Sequence, residues 1–213
     1  MAIRVLVIGQ HAPAQVLFED VAGRVGPDTS TFITLRCRTP GELFDKVRDA
    51  VWQRNAPISV LDLCDHGGDG YIRMGDPIEP PLFAAPDIGK EVASALADLL
   101  TFDAHVRLLG CDTAVASKGR ALLLMLSNAF NQQGGKAIVV SGTLKAVNQG
   151  DFDVGGFKMA REEHYLFSST EAIAVASPTF DERALELLSW RRRIGLTESH
   201  SARTHRIPIA KSR

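Results

Sequence analysis

Five short apolar runs alternate along the chain with segments whose apolar residues recur at helical spacing. Residues 3–9 (IRVLVIG), 31–37 (TFITLRC), 58–64 (ISVLDLC), 105–110 (HVRLLG) and 136–142 (KAIVVSG) have the length and composition of buried strands. Between them, residues 13–25 place Val16, Leu17, Val21 and Val25 on one side of a helix. Residues 40–52, entered through Pro40 and Gly41, do the same with Leu43, Phe44, Val47 and Val51. Two more helices are predicted over 88–100 and 117–130. Residues 65–70 (DHGGDG) read as a glycine-rich loop and 71–74 as a short hairpin arm. Residues 76–86 hold four of the ten prolines and read as irregular. Past residue 142 the pattern loosens into a loop over 144–157, a strand over 163–169 and a helix over 181–193.

This alternation predicts an α/β fold: a mainly parallel central sheet with helices on both faces. In such sheets, ligands and catalytic groups collect at the carboxyl ends of the strands. The positions to inspect are therefore those just after Gly9, Cys37, Cys64, Gly110 and Gly142. One domain is expected over 1–188, followed by a basic, flexible tail over 189–213.

Composition narrows the function classes. With 213 residues, 45% hydrophobic and 23% charged, the chain can bury a core without disulfide staples, and wholesale disorder is excluded. The net charge of −1 hides an asymmetry, because residues 189–213 carry seven Lys/Arg and one acid. The body is thus acidic, and nucleic acid is expected as a partner only through the tail. Cys37, Cys64 and Cys111 make neither a disulfide framework nor a metal-ligand spacing, so no metal or cofactor is expected. No stretch reads as a signal peptide or a membrane span, and a cytoplasmic setting without membrane contact is the expectation.

Two strand ends carry candidate chemistry. One ends in His66-Gly67; the other ends in Gly110-Cys111. A thiolate is a strong nucleophile, and an imidazole can exchange protons with it and with a leaving amine. Neighbouring strands lie about 4.8 Å apart, so residues at adjacent tips can face one cleft. A glycine after the histidine lets backbone approach a substrate and frees an N–H.

The blocks ISVLDLCDHGGDG (58–70) and HVRLLGCDTA (105–114), with SKGRALLLMLS (117–127) and KAIVVSG (136–142), resemble the caspase-like cysteine peptidase superfamily (clan CD). Within it they look most like bacterial CHAT-type domains. The resemblance covers residues 1–160 and implies a caspase-like three-layer sandwich. It implies that Cys111 is the nucleophile of a cysteine endopeptidase and His66 its general acid/base. The backbone N–H groups of Gly67 and Cys111 would form the oxyanion hole, and Ser141, Gly142 and Thr143 would line the substrate cleft. Gly110 departs from the family, where alanine usually precedes the cysteine, a change expected to be sterically permissive.

Asp65, Asp69, Asp112, Asp151 and Asp153 are the acids near the strand tips. If they line the pocket, a basic P1 residue follows electrostatically. The partners implied are a protein or peptide substrate and a regulatory protein. The alternatives are a catalytically silent caspase-like scaffold and a nucleotide-binding regulator built on the DHGGDG loop. That loop lacks both G-x-G-x-x-G and G-x-x-x-x-G-K-[ST]. A Cys-x5-Arg phosphatase loop is excluded, because Ser117 stands where its arginine would fall. Cys37 and Cys64 read as core. His105, taken to begin its strand, reads as remote from the active rim, and His11 reads as a loop residue. His164, His200 and His205 have no nameable partner.

Overall fold

The computed structural model describes residues 1–10, 15–75, 82, 86–132, 135–158 and 166–176. The chain divides into two compact units between Phe180 and Asp181, and every described residue belongs to the first. The helix expected over 181–193, the basic tail, the loop over 76–81 and residues His11, His164, His200 and His205 lie outside the described residues.

The apolar runs form a six-stranded sheet. In chain order its strands are β1 (Ile3–Gly9), β2 (Phe32–Cys37), β3 (Ile58–Cys64), β6 (Leu100–Leu109), β7 (Val139–Thr143) and β10 (Leu166–Ser168). Their spatial order is β10-β7-β6-β3-β1-β2; β10 runs antiparallel to β7, and all other pairs are parallel. The helices are α1 (Gln15–Val25), α2 (Pro40–Arg54), α3 (Pro86–Ala97), α4 (Ala116–Asn131) and α5 (Ser169–Ala176). Local signals set the edges of α2. Thr39 caps its first turn by accepting from the Glu42 N–H, Pro40 fits the first position, and Asn55 ends it in the left-handed conformation.

Both faces of the sheet are covered, because side chains alternate along each strand. Leu6, Ile8, Phe32, Cys64 and Leu109 bury one face against Val21 and Val25 of α1. Phe152 and Phe157 close the same cluster from a small hairpin, β8 (Phe152–Asp153) and β9 (Gly156–Phe157), their rings edge to face at 5.5 Å. Val5, Val7, Leu61, Leu63, Val106 and Leu108, buried on the opposite face, lie under the layer in which α3 packs between α2 and α4. The strand order accounts for the split: the chain steps from β1 to β2 in one direction, then returns through β3 to β6 and β7, and crossovers of one hand then put helices on opposite faces.

The strand expected over 136–142 starts later, at Val139, and α5 was not expected; two further departures bear on the site. The fourth strand begins at Leu100 rather than at residue 105, with a register shift against β3 between Ile58 and Val60. His105 therefore lies mid-strand, opposite Val60 and Val139, and does not begin the strand. The stretch over 144–157 is not plain loop. It holds a 3-10 turn (Gln149–Asp151) and the β8–β9 hairpin, which turns through Gly155 and Gly156 at φ +92° and +120°. No described helix is long and apolar enough to cross a membrane.

Candidate active site

β3 and β6 are hydrogen-bonded neighbours, with Cys64 opposite Leu109, so their carboxyl ends open side by side. Beyond Cys64 the chain turns at Asp65, which is buried. Its carboxylate accepts from the His66 N–H at 2.5 Å and from the Gly75 N–H at 2.7 Å. The sheet reverses winding between β1 and β3, the point where open α/β sheets leave a crevice. Here Asp65 fills it: a methyl group at Gly9, the last residue of β1, would overlap the Asp65 carboxylate.

His66 is exposed, but its backbone is held at both ends: Asp65 takes its N–H, and its carbonyl accepts from the Arg73 N–H at 2.8 Å. Gly67 and Gly68 then form β4 (Gly67–Gly68), which pairs with β5 (Tyr71–Ile72), confirming the hairpin arm. The Asp69 carboxylate accepts from the Gly119 N–H in the first turn of α4 at 3.2 Å, tying the hairpin to that helix.

Beyond Leu109 the second loop turns within four residues. Gly110 packs directly on Gly67: a Cβ on Gly110 would lie 2.9 Å from the Gly67 Cα and 3.0 Å from the Asp65 carbonyl oxygen. Glycine is thus required at this position, contrary to the expectation that the change from alanine is merely permissive. Cys111 follows, half-buried, and Asp112 is left-handed at φ +55°. Thr113 and Thr143 lock this loop to the end of β7. The Thr113 hydroxyl donates to the Leu108 carbonyl at 3.0 Å and accepts from the Thr143 N–H at 2.8 Å. The Thr143 hydroxyl in turn donates to the Gly110 carbonyl.

Cys111 and His66 line one crevice. Its walls are Cys64, Asp65 and Leu109 from the strand ends, Val21 from α1, and Val147, Asn148 and Phe152 from the segment after β7. The space is about 20 Å³, little more than one water requires. Burial separates the three thiols. Burial pushes the Cys64 thiol well up, and the nearby Asp65, Asp62 and Cys111 push the same way. Burial, aided by Glu42, pushes Cys37 up to about 11, and its thiol donates to the Thr39 carbonyl at 2.7 Å. Cys111 alone of the three is not fully buried, and it lines the same crevice as His66.

Several expected substrate-binding residues are used elsewhere. Asp69 holds α4 and does not line the crevice. Asp151 is buried and accepts from the Asn148 N–H in a capping box. Ser141 lies mid-strand, its hydroxyl 2.7 Å from His105 Nε2. Gly142 packs against Thr113 and Ala114, and Thr143 buttresses the cysteine loop. All three are buried. Asp112 and Asp153 are exposed, Asp112 directly after Cys111. Asp65 and Asp69 are committed to backbone N–H groups, and among the described residues no cluster of three metal-ligating side chains occurs.

The sequence reading missed Val147, Asn148 and Phe152 as crevice walls. The signals were present: Asn148 and Asp151 at capping-box spacing, and Phe152 and Phe157 flanking a Gly-Gly turn. Compared with known proteins, the chain matches no family model and no curated protein.

Proposed function

We propose that this protein is a caspase-like cysteine endopeptidase acting through a thioester acyl-enzyme. One observation carries the reading: Cys111 and His66, forty-five positions apart, line the same crevice at the carboxyl ends of adjacent parallel strands. The layered, mainly parallel sheet supports the same class.

In this reading His66 takes the proton of the Cys111 thiol, and the thiolate attacks the scissile carbonyl carbon. Negative charge develops on the carbonyl oxygen, and the amides of Gly67 and Cys111 stabilise it. The tetrahedral species collapses, the C–N bond breaks, and His66 returns the proton to the leaving amine. Water, deprotonated by His66, then cleaves the thioester and regenerates the thiol. The Gly67–Gly110 contact fixes the distance between the two loops, so the reacting groups are positioned by backbone packing.

Asp112, exposed beside the nucleophile, makes a basic P1 residue the expected preference. Fluorogenic peptides test this. Peptides with P1 Arg should be cleaved, those with P1 Asp should not, and Cys111→Ala should abolish turnover. Cleavage of the P1 Asp series alone would reverse the assignment of the pocket. The narrowness of the crevice favours a second reading, a catalytically silent scaffold of the same fold. In that case neither series turns over.

A further inference from the structure

A second and larger cavity, about 350 Å³, lies at the opposite, amino-terminal end of the strands. It is bordered by Arg4 near the start of β1, Thr29 and Phe32 at the entry to β2, Ser59 at the start of β3 and Val25 at the end of α1. The turn of the β8–β9 hairpin forms its lip through Val154.

Arg4 is electrically out of balance. The Gly156 backbone separates it from the nearest acid: a Cβ added there would meet Arg4 Nη2 at 3.6 Å and Asp62 Oδ2 at 3.7 Å. Asp62, however, is already occupied. Arg107 engages both of its oxygens, through Nε at 2.5 Å and Nη2 at 2.6 Å, and stacks over the Phe157 ring. Asp62 is thus neutralised by Arg107, and no ion pair joins it to Arg4. Among the described residues no carboxylate lies within ion-pair distance of Arg4, and its Nε is shut off from water without a hydrogen-bond partner. A half-buried guanidinium left in this condition costs stability, and the arrangement is relieved when an anion enters.

The rest of the cavity narrows the choice of anion. The Thr29 hydroxyl oxygen already accepts from the N–H groups of Thr31 and Phe32, which leaves its proton to donate. Val25, Phe32 and Val154 supply apolar wall. One excess positive charge matches one carboxylate, whose two oxygens fit a guanidinium fork. The volume falls in the range of small-molecule sites, roughly 300–1,000 Å³.

We propose that this cavity is a binding site for a small organic monocarboxylate. Its carboxylate sits on Arg4 and Thr29, and its apolar body lies against Val25 and Phe32. The site is independent of the crevice that holds Cys111.

Calorimetric titration of the full chain with hexanoate, hexanamide and inorganic phosphate tests it. Hexanoate should bind, hexanamide and phosphate should bind at least tenfold more weakly, and Arg4→Met should weaken hexanoate at least tenfold. Val154→Asp alters an exposed position, 82% accessible, and so tests the site without disturbing the core; it should weaken hexanoate severalfold by repulsion. Equal affinity of hexanoate and hexanamide, unchanged affinity in both variants, tighter binding of phosphate, or no hexanoate binding to the unaltered chain would each overturn the proposal.

Discussion

At position 110 a single methyl group separates this sequence from the alanine common in the proposed peptidase class. The Cβ of an alanine would meet backbone on both sides, 2.9 Å from the Gly67 Cα and 3.0 Å from the Asp65 carbonyl oxygen. Backbone cannot rotate away as a side chain can, so the two loops must separate. Gly110→Ala should therefore cost about 1–3 kcal/mol in chemical denaturation, as overpacking does. It should also lower peptide turnover more than it lowers stability-limited yield. An alanine variant as stable and as active as the parent would show that the loop contact does not position the pair. Asp65 was read from the sequence as a pocket acid. Its place inside the fold depends on Gly9, the last residue of β1, and such a long-range packing partner leaves no local trace in the sequence.

At the scale of elements, the end of β7 acts as a clamp on the cysteine loop. The Thr143 hydroxyl donates to Gly110 and the Thr143 N–H donates to Thr113, while Asp112 sits in the left-handed conformation between them. Such backbone costs on the order of 1 kcal/mol and persists only where the surroundings enforce it. Thr143→Val leaves the Gly110 carbonyl without this partner and should destabilise by about 1–3 kcal/mol. Thr143→Ser, which keeps the hydroxyl, should restore both stability and turnover. Failure of serine to rescue would place the effect in packing and not in the hydrogen bond.

The sequence made the five main strands legible because each is a short, mainly apolar run of strand length. It also made the His66 and Cys111 strand ends legible, because each apolar run stops there. The early start of β6 was hidden because Thr101, Phe102 and Asp103 interrupt the apolar run where the strand leaves its register with β3. The β8–β9 hairpin was hidden because its strands are two residues long and its glycines read as loop.

For the whole molecule, acid stability reports the buried polar row across the sheet. His105 faces Ser141 of β7 at 2.7 Å, with Arg107 two residues along its own strand and Asp62 on the adjoining β3. Burial, reinforced by the Arg107 charge and partly offset by Asp62, lowers its pKa from 6.5 to about 4. Between these values the unfolded chain takes up a proton that the folded chain refuses. Stability therefore falls as pH drops from 6.5 towards 4 and gains no further loss from this group below that. The full effect is at most about 3 kcal/mol. Urea midpoints measured from pH 7 to pH 4 should fall less steeply in His105→Gln than in the parent. Parallel slopes would show that His105 is not held neutral by the fold.

The central claim is that Cys111 and His66 act as one reactive pair, and thiol-labelling kinetics read by intact mass and peptide mapping test it most directly. The account expects Cys111 to react with iodoacetamide at least tenfold faster than the buried Cys37 and Cys64, and this advantage to shrink in His66→Ala. Equal, slow labelling of all three thiols, or a Cys111 rate indifferent to loss of the imidazole, would contradict it.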